Sequence, residues 1–250
     1  MCGLKDLSKN KEGIWSRQNT SKNSRYLSKI KSGFPFPTLF DQIRSFPHVT
    51  EPETMKLKVT SFTGKLAEPY LGELARLRIQ VFREYPYLYD GTLDYEKKYL
   101  QTFIQAKESI MVLAWDQERV VGVSTGIPMA QEPDEIQKPW VEAGHDIEKI
   151  FYLSESVLLK PYRGQGIGVK FFEERESWAR QLGYRTAAFC SVIRPLDHPA
   201  RPENYVELDG FWEKRGYRKK EGYLCRMRWK EWEEETESAK ELQFWWKGLE

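Results

Sequence analysis

Between residues 150 and 192 the chain has few ways to fold. Ile150 to Leu159 (I-F-Y-L-S-E-S-V-L-L) is a short, mostly apolar run that fits one buried strand. Lys160-Pro161-Tyr162 turns the chain into R-G-Q-G-I-G, Arg163 to Gly168. Ile167, Phe171, Trp178 and Leu182 then fall on one helical stripe, and Gly183 stands where a C-terminal cap belongs. Thr186 to Val192 (T-A-A-F-C-S-V) reads as a second buried strand. Strand, glycine-rich turn, helix and strand make a βαβ unit, which predicts parallel strands joined by a right-handed crossover.

Glycines at such a turn have a physical use. Without Cβ atoms, Gly164, Gly166 and Gly168 let backbone N–H groups converge on an anion and approach it closely. The helix N-terminus adds a partial positive charge worth ~0.3–1 kcal/mol when exposed. Arg163 adds a full charge and a forked donor set, so a phosphate or pyrophosphate is the natural guest. A tight glycine turn that binds nothing is the plain alternative. A dinucleotide-binding G-x-G-x-x-G is excluded, because Val169 stands where its last glycine belongs, and no G-x-x-x-x-G-K-[ST] occurs.

The rest of the chain divides near residue 55. Residues 1–54 carry nine basic groups against five acidic ones and few large apolar side chains in their first part. They read as a flexible basic extension, trailing or docking through Phe34, Phe36, Phe40 and Phe46, and residues 55–250 as one domain. Met55 opens a strand alternation (Leu57, Val59) and is an alternative start. Tyr70, Leu71, Leu74, Leu77, Val81 and Phe82 recur at helical spacing, and F-R-E-Y-P-Y-L-Y-D-G, Phe82 to Gly91, forms a loop. Asp94 is the expected cap of a second helix carrying Leu100, Phe103 and Ile104. Ser109 to Trp115 and Arg119 to Gly126 suit a hairpin, and 128–148 reads as a polar excursion with a short helix. Phe211 to Tyr217 (F-W-E-K-R-G-Y) reads as a helix ending at Gly216, with strands from Tyr217 and from Tyr223 to Trp229. Glu231 to Glu241 is a charged run, and Trp245 and Trp246 behind it are expected to pack on the domain.

Composition narrows the function classes. The net charge of +2 is too near balance to argue for a nucleic-acid or membrane partner. Cys2, Cys190 and Cys225 make neither a disulfide framework nor a zinc pattern, and His198 has no partner at ligand spacing, so no metal is expected. Cys190, in an expected buried strand, reads as core. No apolar run approaches the ~20 residues that span a bilayer, and a cytoplasmic location is expected.

The spacing R-x-x-G-x-G between a strand and a helix is similar to the acyl-CoA pyrophosphate motif of the GNAT superfamily of N-acetyltransferases. The order of elements from residue 55 to about 230 and the F-W-E-K-R-G-Y segment resemble that family too. Among its bacterial members the chain looks most like those with a Phe-Arg-Glu-x-Pro-Tyr-Leu-Tyr-Asp-Gly segment. The resemblance implies an α/β fold with an α+β mixed sheet: a mostly antiparallel sheet, a splayed parallel strand pair and helices on both faces. It implies acetyl-CoA as co-substrate, no metal, and direct attack by an amine acceptor that is a small molecule. A homodimer is compatible with it.

Residue by residue, the resemblance implies that Val157, Leu158 and Leu159 pair with pantetheine. Arg163, Gly164, Gln165, Gly166, Ile167 and Gly168 would hold the pyrophosphate. Glu155 is the expected catalytic base, sharing a strand face with Val157 and Leu159. Its alternative is a structural carboxylate bonded to Ser154, Ser156 or a nearby arginine. At the family's general-acid tyrosine stands Trp212, whose N–H is no useful proton source, so Trp212 is assigned to the acceptor contacts. Tyr205 is taken as the substitute acid, with Tyr152 and Tyr223 as other candidates. The loop between the first two helices offers Arg83, Tyr85, Tyr89 and Asp90 to the acceptor, beside Glu84 and Tyr87. Arg194, Asp197, His198 and Arg201 either wall the same site or form a rigid loop. The rival reading, favoured by Trp212, is a non-catalytic acyl-CoA-binding sensor or scaffold of the same fold.

Overall fold

The computed structural model describes residues 57–250. The basic extension, its phenylalanines and the Met55 start lie outside the described residues. β1 (Leu57–Thr63) leads through a 3-10 segment into α1 (Leu71–Phe82), and α2 (Leu93–Gln105) follows the expected loop. The cap of α2 is Thr92, whose side chain accepts from the Tyr95 N–H, rather than Asp94. Asp94 lies inside the first turn, where a carboxylate suits the helix dipole.

β2 (Ile110–Asp116) and β3 (Arg119–Pro128) form the expected antiparallel hairpin, and β1 adds to the outer edge of β2. On its other side β3 meets two short strands instead of one. β4 (Ile150–Tyr152) pairs with Ile127 and Pro128, and β5 (Ser156–Leu158) pairs with Gly122, Val123 and Ser124. The single strand expected over 150–159 is therefore broken at Leu153–Glu155, where the polar Ser154 and Glu155 interrupt the apolar run.

The break sets the sheet. β4 runs parallel to β6 (Thr186–Val192), as the βαβ reading requires, with α4 (Ile167–Gln181) as the crossover. β5 pairs only with β3, so the sheet opens between β5 and β6. After α5 (Asp209–Glu213), β7 (Arg218–Trp229) and β8 (Ser238–Gly248) close the sheet in the order β1-β2-β3-β4-β6-β8-β7. Both layers are helical: α4 and α5 cover one face, with Phe172 of α4 against Phe189 of β6 and Phe211 of α5. α1, α2 and α3 (Asp134–Glu142) cover the other.

Two regions differ from the sequence reading. Residues 128–148 are not simply polar, because Ile136 and Trp140 on α3 are fully buried against Phe244, Met129 and Ile150. The apolar stripe is one i, i+4 pair wide, so composition hid it. The strands expected from Tyr217 and from Tyr223 to Trp229 are the single strand β7, and the charged run 231–241 continues into β8, which inserts between β6 and β7. Lys240 is buried there by pairing with Glu234 (2.9 Å) and Glu231 (3.3 Å). Trp245 packs on the domain at 1% exposure.

Removal of residues 240–250 should therefore abolish folding. Leu242, Phe244 and Trp245 each bury a side chain worth roughly 1.5–3 kcal/mol, comparable in sum to a typical domain stability of ~5–15 kcal/mol. A thermal melt of the truncated chain is expected to show no cooperative transition; a wild-type-like melt would contradict the placement of β8.

Candidate active site

The glycine turn is built as an anion cradle. Gly164 and Gly166 adopt φ of +78° and +83°, the left-handed region that favours glycine, and Gly166 is the N-cap of α4. The N–H groups of Gly164, Gln165, Gly166, Ile167 and Gly168 donate to no backbone carbonyl among the described residues. The first helical bonds run from Val169 and Lys170 to the Gly166 carbonyl. Gly168 serves packing instead: a Cβ there would lie 3.2 Å from the Phe211 ring. The Gln165 side chain folds back onto the Pro161 carbonyl (2.9 Å), and Arg163 donates from Nε to Leu158 O (3.0 Å) and from Nη1 to Glu84 (2.8 Å).

The opening beside this turn exposes one edge of β5. The Thr125 N–H donates to Glu155 O and the Leu159 N–H to Val121 O, both at 3.0 Å. Backbone groups alternate along an antiparallel ladder, so residues 155, 157 and 159 face β3 while Ser156 and Leu158 face the opening. Of the three residues expected to offer their backbone to pantetheine, only Leu158 does. Val157 and Leu159 are committed to β3, and Ser156 joins Leu158.

Arg175, on α4 and 1% exposed, holds the break open. Its Nη1 donates to Thr125 O (3.0 Å) and Glu155 O (3.2 Å), Nη2 to Ser156 Oγ (2.9 Å) and Nε to Phe171 O (3.0 Å). The guanidinium lies over Phe172 at 5.1 Å. Burial pulls its pKa down to about 10, which still leaves it charged at neutral pH.

On the other face, Arg78 of α1 bridges two carboxylates, Glu96 at 2.6 Å and Glu155 at 2.7 Å, with its plane over Tyr99. Burial opposes its charge, but Glu155, Tyr99 and Glu96 outweigh that and raise the pKa. Glu155 thus has the nearby arginine of its alternative reading, with Oε2 committed to Arg78. A second carboxylate, missed by the sequence reading, stands beside it. Glu132, between β3 and α3, accepts from Ser154 Oγ at 2.9 Å. Burial pushes its carboxyl up to about 7; Ser154 and Arg78 oppose the rise and Glu155 adds to it. Nothing in Q-E-P marks this glutamate, since only the fold brings it to the break.

The acceptor-loop residues separate. Tyr89 is buried and donates to Glu96 Oε1 at 2.8 Å, so it packs rather than faces a substrate. Arg83 and Lys230 both pair with Asp90 and hold its carboxyl below the usual range. Tyr85 meets Tyr205 edge-on at 4.7 Å, with Arg201 beside both rings. Burial pushes the Tyr205 hydroxyl up to about 12. Tyr87 packs against Phe82 (4.5 Å) and Trp229 (6.0 Å); burial, then Cys190 and Tyr205, raise its hydroxyl pKa, and Arg78 and Glu155 also act on it. Cys190 is partly exposed rather than core, and its Sγ lies 2.8 Å from the Tyr152 hydroxyl. Trp212 is on the opposite face, against Phe189 (5.1 Å) and Trp245 (5.0 Å), so packing explains it and the acceptor assignment does not hold. Tyr223 is bonded to His145 Nε2 (2.9 Å). Arg194 ties Pro86 O, Tyr87 O and Glu231 together, a structural role, and His198 accepts from the Ala200 N–H. Among the described residues no group of three or more potential ligands could hold a metal, and no helix is long and apolar enough to cross a membrane.

Two outcomes follow from these charges. Arg175→Met should cost on the order of 2–3 kcal/mol, because it removes several charge-assisted hydrogen bonds; a wild-type denaturation midpoint would contradict its role. A carboxyl raised from 4.5 to about 7 on folding stabilises the fold at low pH and loses that contribution as pH rises through about 7. The melting temperature of Glu132→Gln, relative to wild type, should therefore climb across that window; a flat difference would show ordinary ionisation.

Residues 75–217 match the acetyltransferase (GNAT) family. No curated protein matches the chain. Among solved structures, a protein assigned as an acetyltransferase from Acinetobacter baylyi ADP1 aligns at 12% identity and TM-score 0.53, covering 80% of this chain and 95% of its own. A ribosomal-protein-alanine N-acetyltransferase from Brucella melitensis aligns at 14% and 0.51, covering 77% and 99%. At such identities the likeness shows the fold alone, a mixed sheet with the parallel strand pair expected of the family. With the family match spanning the glycine turn and the opening beside it, the chain belongs to the GNAT acetyltransferase family and is an acyl-CoA-dependent N-acetyltransferase.

Proposed function

We propose that the protein transfers the acetyl group of acetyl-CoA to the amine of a small, cationic acceptor by direct attack. The observation that carries this reading is the pairing of a row of free N–H groups, Gly164 to Gly168, with the edge of Ser156 and Leu158 that no strand covers, where Arg163 Nε holds the Leu158 carbonyl. A diphosphate suits the first and an amide-bearing arm suits the second. Acetyl-CoA carries both, and supplies an acetyl group already activated as a thioester. Arg163, which lies between the two features, is the side chain best placed to follow the diphosphate.

The acceptor class follows from the face opposite α4. Glu132 and Glu155 lie near each other with one arginine, Arg78, that already serves Glu96. Tyr87 and Tyr99 stand near Glu155, with Arg78 already over the Tyr99 ring as a cation on an aromatic face. Tyr85 and Tyr205 stand together at the acceptor loop and line the approach, while Arg83 and Asp90 neutralise each other there. Tyr205 is a wall rather than the acid in this reading. The thiolate is a fair leaving group without one.

Calorimetric titration of acetyl-CoA tests the reading. Micromolar, saturable binding is expected, and Gly166→Val should weaken it at least ~10-fold, since valine strains the left-handed backbone that aims the donors. Absence of binding by the wild-type chain would overturn the proposal.

A further inference from the structure

Resting on the acetyl-transfer reading above, we propose that Glu132 is the base that removes the proton from the acceptor ammonium, with Ser154 orienting its carboxylate. The carboxylate on the strand before the glycine turn, Glu155, is not free for that work. Its Oε2 is 2.7 Å from Arg78, which is itself held between Glu155 and Glu96. Glu155 then acts as a fixed negative charge that attracts the acceptor and holds Arg78 in place.

Glu132 has the complementary arrangement. It reaches the break between β4 and β5 from the segment preceding α3, and its Oε1 is tied to Ser154, one of the residues that form the break. Ser154 is itself fixed by its N–H bond to Thr125 O, so the carboxylate is anchored at the end of the opening. Oε2 of Glu132 has no hydrogen-bond partner among the described residues, and the residue keeps 8% exposure. The groups acting on this site are Arg78 from α1, Tyr99 from α2, Tyr152 from β4, Glu155 beside β5 and Cys225 from β7. Arg78 is the cation among them, and it is already shared by Glu96 and Glu155.

The step balances without a further reagent. The ammonium passes one proton to Glu132, leaving a neutral amine and a carboxylic acid. The freed nitrogen lone pair attacks the thioester carbonyl, the C–S bond breaks, and the departing thiolate takes the second nitrogen proton. Glu132 then returns its proton to solvent. A carboxyl that titrates near neutrality is half ready as a base at the pH where it works, the condition for efficient proton transfer.

The test compares two nucleophiles. Benzylamine is an ammonium at neutral pH and needs a base, whereas hydroxylamine is already neutral and does not. Thiol release from acetyl-CoA is measured with each, for wild type, Glu132→Gln and Glu155→Gln, across pH. Glu132→Gln should bind acetyl-CoA as wild type does and lose ~100-fold in kcat/KM with benzylamine, together with the rise of rate through about pH 7. With hydroxylamine its loss should stay within about threefold, far below the ~10²-fold base effect. Glu155→Gln should keep the pH-dependent rise with benzylamine. Equal losses on both nucleophiles, a pH profile unchanged in Glu132→Gln, or a rise abolished only in Glu155→Gln would overturn the assignment. Wild-type protein that binds acetyl-CoA but acetylates neither amine would overturn it too. Failure to bind acetyl-CoA would instead overturn the proposed function itself.

Discussion

A buried arginine keeps one strand in two pieces, and most of the molecule follows from that. Arg175 reaches from α4 through the sheet and supplies donors to Thr125 O, Glu155 O and Ser156 Oγ at the point where β4 stops and β5 begins. An uninterrupted strand would pair β6 along its whole length and close the sheet. With the carbonyls of the break satisfied by a cation, the chain can turn away from β6 without orphaning polar groups. The opening, the free edge of Ser156 and Leu158 and the direction of the glycine turn are all consequences of that contact.

The two faces of the opening then divide the work by charge. The side toward the glycine turn carries free N–H groups, the positive end of α4 and Arg163, which suits an anion. The opposite side gathers Glu96, Glu132 and Glu155 around a single Arg78, with tyrosine rings between them. Burial opposes the charged form of Arg78 and of Glu132 alike. Arg78 stays charged because carboxylates surround it, and burial raises the carboxyl of Glu132 because no cation is committed to it. Arg194 performs a quieter task, tying the acceptor loop to the β7–β8 connection and so fixing where Tyr87 stands.

Much of the fold was legible because it rests on local rules. The βαβ unit, the hairpin and the glycine cap at Gly183 are patterns of spacing and conformation that neighbouring residues decide. The errors have one cause. Whether Ile150 to Leu159 is one strand or two depends on Arg175, sixteen residues beyond its end, and Ser154 and Glu155 alone do not announce the break. β8 was hidden because a buried lysine looks like a solvated one until its partners Glu231 and Glu234 are in place. The site was readable only in its backbone part. Glycines declare their conformation in sequence, but the pairing of Glu155 with Arg78, the approach of Glu132 and the retreat of Trp212 to the far face are tertiary facts.

The claim on which the account turns is that acetyl-CoA lies along the glycine turn and the free edge of β5. Residue-resolved amide hydrogen exchange, with and without saturating acetyl-CoA, tests it directly. The account predicts new protection at Gly164 to Gly168 and at Ser156 and Leu158, with Val157 and Leu159 unchanged because they already face β3. Protection that appears elsewhere in the sheet, or that falls on Val157 and Leu159 instead, would contradict it.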